Sequence, residues 1–178
     1  MVIFSVVAAL VVAAAIYWFL IRDDSDDTKA ATKQPQTPAV RTFTAPGASF
    51  SFQYPGSFVQ TTGPEGYVWI AGVGKYDILS VKRIANEPTS AGRLKAKIPD
   101  TLKVVPGTKI NGRGTEQHAG VDMVTFSIDT TVDDNAVSVR LYYFSANGVT
   151  WQLGCESQKQ ASVIGAACDA ALQSFQGS

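Results

Sequence analysis

Beyond residue 40 the chain alternates apolar and polar positions over most of its length, and a period of two predicts β-strands with one buried face. The clearest short example is Phe50-Ser51-Phe52-Gln53-Tyr54, closed by Pro55-Gly56. Tyr67 to Ala71 and Ile78 to Ile84 read as two further strands joined through Gly72-Val73-Gly74, with Leu79 and Val81 as the inward pair of the second. Leu94, Ile98, Leu102 and Val105 then recur at helical spacing after Thr89-Ser90, but Pro99 and Pro106 interrupt the pattern, so a short or broken helix is expected. Thr108 to His118 is polar and bears glycines, which suits an edge strand.

The strongest pattern follows. Val124, Phe126, Ile128 and Val132 alternate up to Asp133-Asp134-Asn135. Val137, Val139, Leu141 and Tyr143 continue to Asn147-Gly148, and Val149, Trp151, Leu153 and Cys155 come after it. Asn-Gly tolerates the positive φ angles of a tight hairpin, so this stretch reads as a three-stranded antiparallel meander. Ile164, Ala167, Cys168, Ala171, Leu172 and Phe175 repeat at three and four, the mark of an amphipathic helix packed on the sheet. The expected fold class is therefore α+β, an antiparallel sheet with flanking helices.

The same counting assigns the cysteines, of which there are two. Cys155 shares a strand face with Val149, Trp151 and Leu153, and Cys168 shares a helix stripe with Ile164, Ala171 and Phe175, so both sulfurs point into one interface. A Cys155–Cys168 disulfide across a loop of roughly 14 residues would contribute about 3 kcal/mol by the chain-entropy argument. The alternative is a pair of buried free thiols packing as small apolar groups.

Val2 to Ile21 is apolar except for Ser5. At 1.5 Å per helical residue it spans roughly 30 Å, the hydrocarbon thickness of a bilayer. Residues 1–21 are expected to be a transmembrane anchor, with Tyr17 and Trp18 at one interface. The alternative is a cleaved signal ending at Ala13-Ala14-Ala15, but no basic segment precedes the run. Residues 22–40, rich in Asp, Thr, Ala, Gln and Pro, read as a flexible linker. Residues 41–178 form one domain.

Orientation signals conflict. Arg22, Lys29 and Lys33 all follow the span, which by the positive-inside rule places the domain inside. The cysteine pair reads as a disulfide of an oxidising compartment and places it outside. The expected location is the cell membrane, single-pass, with the domain extracytoplasmic.

Charge narrows the partners. The linker holds three basic and four acidic side chains, and residues 41–178 hold twelve and eleven, so the domain is nearly neutral. Phosphate backbones are bound by clustered Lys and Arg, so nucleic acid is not an expected partner. His118, the single histidine, stands beside Ala119-Gly120 and reads as a turn residue. Gly72-Val73-Gly74-Lys75 lacks the rest of a phosphate-loop frame. Asp129, Asp133, Asp134 and Asn135 depart from calcium-loop spacing and are better explained by a hairpin turn. No catalytic residue, metal site or cofactor is expected. Among strand aromatics, Tyr142 and Tyr143 must face opposite sides of the sheet, and Tyr67, Trp69 and Tyr142 are the candidates for a surface groove.

Phe50-Ser51-Phe52-Gln53-Tyr54-Pro55 at the start of the domain, the meander, and a last helix ending Ala171-Leu172-Gln173-Ser174-Phe175 together resemble the PsbP-like fold family. This family groups the photosystem subunit PsbP with Mog-type proteins and actinobacterial LpqN-type lipoproteins. The resemblance covers about residues 43 to 176 and implies an α/β/α sandwich around an antiparallel sheet. It also implies a non-catalytic accessory role. Unlike the LpqN type, the chain lacks a lipobox cysteine, so a span at Val2 to Ile21 would replace the lipid.

The expected function is that of a membrane-anchored, non-catalytic, extracytoplasmic binding module for a protein or cell-envelope component. A small-molecule or lipid carrier using a cleft between sheet and helices is the alternative, and an enzyme of unknown class stands third.

Overall fold

The computed structural model describes residues 39–63, 66–84, 91–103 and 107–177. The expected anchor and the linker up to residue 38 lie outside the described residues. Among those described, no helix is long and apolar enough to cross a membrane.

The described residues form ten strands and two α-helices, besides a 3-10 turn at Pro46–Ala48, in the order β1 (Val40–Thr44), β2 (Phe50–Pro55), β3 (Val59–Thr61), β4 (Tyr67–Gly74), β5 (Asp77–Ile84), α1 (Ala91–Lys103), β6 (Lys109–His118), β7 (Val121–Val132), β8 (Asn135–Ala146), β9 (Val149–Ser157), α2 (Ala161–Gln173) and β10 (Gln176–Gly177). A seven-stranded sheet runs β3-β4-β5-β9-β8-β7-β6, and a small sheet runs β1-β2-β10. All pairings are antiparallel.

The meander forms as its pattern requires. Asp133-Asp134 turns β7 into β8 with φ 47° and 61°, and Asn147-Gly148 turns β8 into β9 with φ 48° and 71°. Left-handed backbone at both central residues matches the twist of the flanking strands, which is why these hairpins close in two residues. A third such turn, Ala119-Gly120, joins β6 to β7 and leaves β6 as the edge strand that its polar sequence predicts.

One face of the large sheet carries most of the core. Helix α2 lies on it across β5 and β9, and the small sheet covers the remainder. The alternating aromatics of β2 face inward here. Phe50 has Phe144 at 5.0 Å, Trp151 at 5.1 Å and Phe175 at 5.6 Å between ring centroids. Cys155 and Cys168 form a disulfide with Cα atoms 6.1 Å apart, tying β9 to α2 beneath this layer. On the opposite face α1 buries Leu94 and Ile98 on Val124, Phe126, Ile128, Leu141 and Tyr143.

Three details differ from the sequence reading. The layers are not a symmetric α/β/α sandwich, because β2 leaves the large sheet and pairs with β1 and β10, so one outer layer is half sheet. The β4–β5 turn falls at Lys75-Tyr76, past the Gly72-Val73-Gly74 run, because those glycines continue β4 through a bulge. Helix α1 runs through Pro99 to Lys103. The proline forfeits one backbone hydrogen bond, and the burial of Leu94 and Ile98 offsets that loss.

Candidate functional site

The two halves of the α1-side face differ in chemistry, and strand register shows where. Three rows cross the sheet from β4 through β5 and β9 to β8: Tyr67-Lys82-Gln152-Tyr143, Ile70-Ser80-Gly154-Leu141, and Gly72-Ile78-Glu156-Val139. Toward β7 the rows end in Val124, Phe126 and Ile128 under α1. The helix sits over β6, β7 and β8. The β4-β5-β9 half is left with Tyr67, Ser80, Lys82, Gln152 and Glu156.

A bulge places the first of these. Tyr67 and Trp69 are two apart and would share a face in a regular strand, but the register shifts between them, so Tyr67 pairs with Lys82 and Trp69 with Val81. Trp69 therefore packs on Phe43, Phe52 and Tyr54 in the α2-side core. Tyr142, 3% exposed, lies in the same core, with Tyr143 on the other side of the sheet. Of the three aromatics named as groove candidates, Trp69 and Tyr142 are thus core residues on one side of the sheet and Tyr67 lies on the other. Only Tyr67 stays half-exposed, with Lys82 Nζ 5.2 Å from its ring centroid.

The middle row contains a buried polar group without a partner, a state shared by the Thr61 hydroxyl and, in the α2-side core, by Trp151 Nε1. Ser80 is 1% exposed, and its hydroxyl oxygen has no hydrogen-bond partner. Gly154 makes room for it, since a Cβ there would stand 2.7 Å from Ser80 Oγ. In the third row Glu156 is half-buried between Ile78 and Val139, and desolvation pushes its carboxyl up to about 7. Burial, followed by the Glu156 charge, raises Tyr67. Burial, then Tyr67, raises Tyr143. Lys82 is lowered by burial. Glu156 has no ion-pair partner among the described residues, where the pairs are Lys75–Asp133, His118–Glu116 and Arg140–Asp169.

The other polar residues singled out by sequence hold the fold together. Asp133 Oδ2 accepts from Tyr76 Oη at 2.8 Å and from Lys75 Nζ at 3.2 Å, joining two turns. Asp129 accepts from Asn111 at 2.6 Å and Ser138 at 2.9 Å. Asn135 donates to the Asp133 carbonyl at 2.7 Å and accepts from Gln158. His118 lies 3.2 Å from Glu116. Asp77, not singled out, is 4% exposed and accepts from the backbone N–H groups of Gln158, Lys159 and Gln160 at 2.9, 3.1 and 2.8 Å. It therefore anchors the entry to α2, which has no side-chain cap of its own.

Two clefts complete the surface. One, about 190 Å3, lies between the sheet and α2 and is lined by Asp129, Ser138, Arg140, Ser157 and Gly165 among others. The second, about 450 Å3, runs along the β3 edge beside Val59, Val73 and Ile78. Ser80, Lys82, Gln152 and Glu156 escaped the sequence reading. The one available signal was Glu156 as the single charged side chain of its strand.

Compared by sequence, the chain matches no family model and no curated protein. By structure it is similar to the cyanobacterial PsbP of Synechocystis sp. PCC 6803, at 10% identity and a TM-score of 0.57, over 84% of this chain and 98% of that one. It is also similar to LpqN, involved in cell envelope biogenesis of Mycobacterium tuberculosis, at 10% identity and a TM-score of 0.53, over 80% and 86%. A Bacteroides thetaiotaomicron protein aligns at 14% identity and a TM-score of 0.51, over 77% of this chain and 48% of that one. The class is an antiparallel α+β domain. Within it, the chain has the PsbP-like fold, as its β2 and α2 sequences indicate.

Proposed function

We propose that the chain is a membrane-anchored, extracytoplasmic accessory module that binds a protein or envelope component without catalysing a reaction. The observation that carries this reading is the polar half of the α1-side face. There Glu156 is half-buried with no ion-pair partner among the described residues, an arrangement that costs stability unless a bound partner supplies the missing bonds. The Cys155–Cys168 disulfide supports the extracytoplasmic placement, since such bridges persist in oxidising compartments. LpqN, with the same fold, is involved in envelope biogenesis, which is in keeping with an envelope role. The carrier alternative draws less support, because the cleft between sheet and α2, at about 190 Å3, falls below the several hundred Å3 usual for carried ligands.

The test is affinity purification of the full chain from its own membranes, comparing wild type with Gln152→Ala. A partner recovered with wild type and depleted with the variant is the expected result. Equal recovery with both, or turnover of a substrate by the isolated chain, counts against the reading. Thiol alkylation on intact cells tests the location: Cys155 and Cys168 should resist until reductant is added, and labelling without reductant would place the domain inside.

A further inference from the structure

The accessory reading leaves the partner's chemistry open, and the charges on the polar half-face restrict it. A carboxyl held between Ile78 and Val139 needs a cation or several donors when ionised. Among the described residues no neighbouring element supplies one. On β5 the nearest cation, Lys82, is two rows away and stands over the Tyr67 ring. On β4 and β8 the titratable groups facing this surface are the phenols of Tyr67 and Tyr143. On β9 the neighbour in the adjacent row is Gly154, and Gln152 stands two rows away with its Nε2 3.8 Å from where a Gly154 Cβ would lie. Helix α1 lies over β6, β7 and β8, and its Arg93 and Lys95 are exposed to solvent. Glu156 is only half-buried, so a side chain arriving from outside can reach it. The Ser80 hydroxyl beside it is a second polar group with an unused bond.

Resting on the accessory reading, we propose that this half-face docks a protein that presents an arginine or lysine side chain to Glu156, with Gln152 adding a hydrogen bond and Tyr67 flanking the cation. A charge-assisted bond to a partly desolvated carboxylate is stronger than one in water, and the guanidinium of arginine fits a carboxylate through two parallel N–H donors. Docking is coupled to loss of the Glu156 proton. With the free carboxyl titrating near 7, its ionised fraction rises from about one-tenth at pH 6 to about nine-tenths at pH 8, so binding tightens about tenfold over that interval.

The test uses N-acetylarginine methylamide as probe, N-acetylcitrulline methylamide as its neutral isostere, and the full chain in non-ionic detergent. The Glu156 carboxyl carbon and the Tyr67, Ser80 and Gln152 amides are followed by NMR. Three results are expected: perturbations at those residues, an apparent affinity about tenfold higher at pH 8 than at pH 6, and at least tenfold weaker binding of the citrulline probe. Glu156→Gln, which keeps shape and removes charge, should abolish the pH dependence, while Lys82→Gln should retain it. Equal binding of the two probes, pH-independent binding, or perturbations centred on Asp133 and Asp169 instead would each overturn the proposal. The titration contains no partner protein, so its failure removes this site alone and leaves the accessory reading to the co-purification.

Discussion

The two faces of the large sheet divide the work of the domain. The α2-side face is closed by an aromatic cluster that includes Phe43, Phe50, Phe52, Trp69, Phe144, Trp151 and Phe175, and by a covalent tie between β9 and α2. The α1-side face is uniformly apolar only as far as the helix reaches, and from β9 to β4 Ile70 and Ile78 share it with a buried hydroxyl, a lysine, a glutamine and a carboxyl pushed up to about 7. Each buried aromatic stabilises by roughly 2–3 kcal/mol through removal from water, whereas a buried polar group without its bond costs about 1–3 kcal/mol. Stability is therefore concentrated on one face, and the polar half of the other is suited to binding.

The largest expected effect breaks the stable side. Phe50→Ala removes a side chain with four aromatic neighbours within 5.9 Å and should cost about 3–5 kcal/mol in chemical denaturation. Tyr67→Ala, on the other face, should cost about 1 kcal/mol. Comparable losses would erase the asymmetry. Next comes the disulfide. Cys168→Ser should destabilise by about 3 kcal/mol and Cys168→Ala by less, because serine also buries a hydroxyl, and reductant should lower the melting temperature of wild type alone.

The polar half sharpens the comparison through pH. The folded-state pKa of Glu156 lies above the ordinary 4.5, so the native chain binds its proton more tightly than the unfolded one. This contribution favours the fold below about pH 4.5, is lost between about 4.5 and 7, and is constant above. The loss should be about 2 kcal/mol after allowance for partial exposure, and Glu156→Gln should abolish it in denaturation curves taken from pH 4 to 8. Asp77→Asn should cost about 1–2 kcal/mol, since a charged acceptor for three backbone donors becomes neutral. The smallest effect is Ser80→Ala, which removes an unpartnered buried hydroxyl and should be neutral or stabilising by up to about 1 kcal/mol.

Part of each face could be read from the sequence, because local period places its residues: Val124 to Tyr143 alternates at two under α1, Val149 to Cys155 alternates at two on the other face, and Ile164 to Leu172 recurs at three and four, so that Cys155 meets Cys168. The departures are long-range or irregular. One bulge at Val68 sends Tyr67 and Trp69 to opposite faces, which spacing alone does not reveal. That β2 joins a separate sheet depends on β10, more than a hundred residues later. Asp77 anchors α2 across 81 residues of separation. The Ser80-Gly154-Glu156 surface arises from register between β5 and β9, which no local pattern encodes.

Site-specific photo-crosslinking in native membranes tests the division most directly. The photoreactive residue is placed in the full chain either at Lys82, on the polar half-face, or at Val163, which is 40% exposed on the outer side of α2. A specific protein adduct from Lys82 and none from Val163 is the predicted result. Adducts from Val163 alone, or equally from both positions, would contradict it.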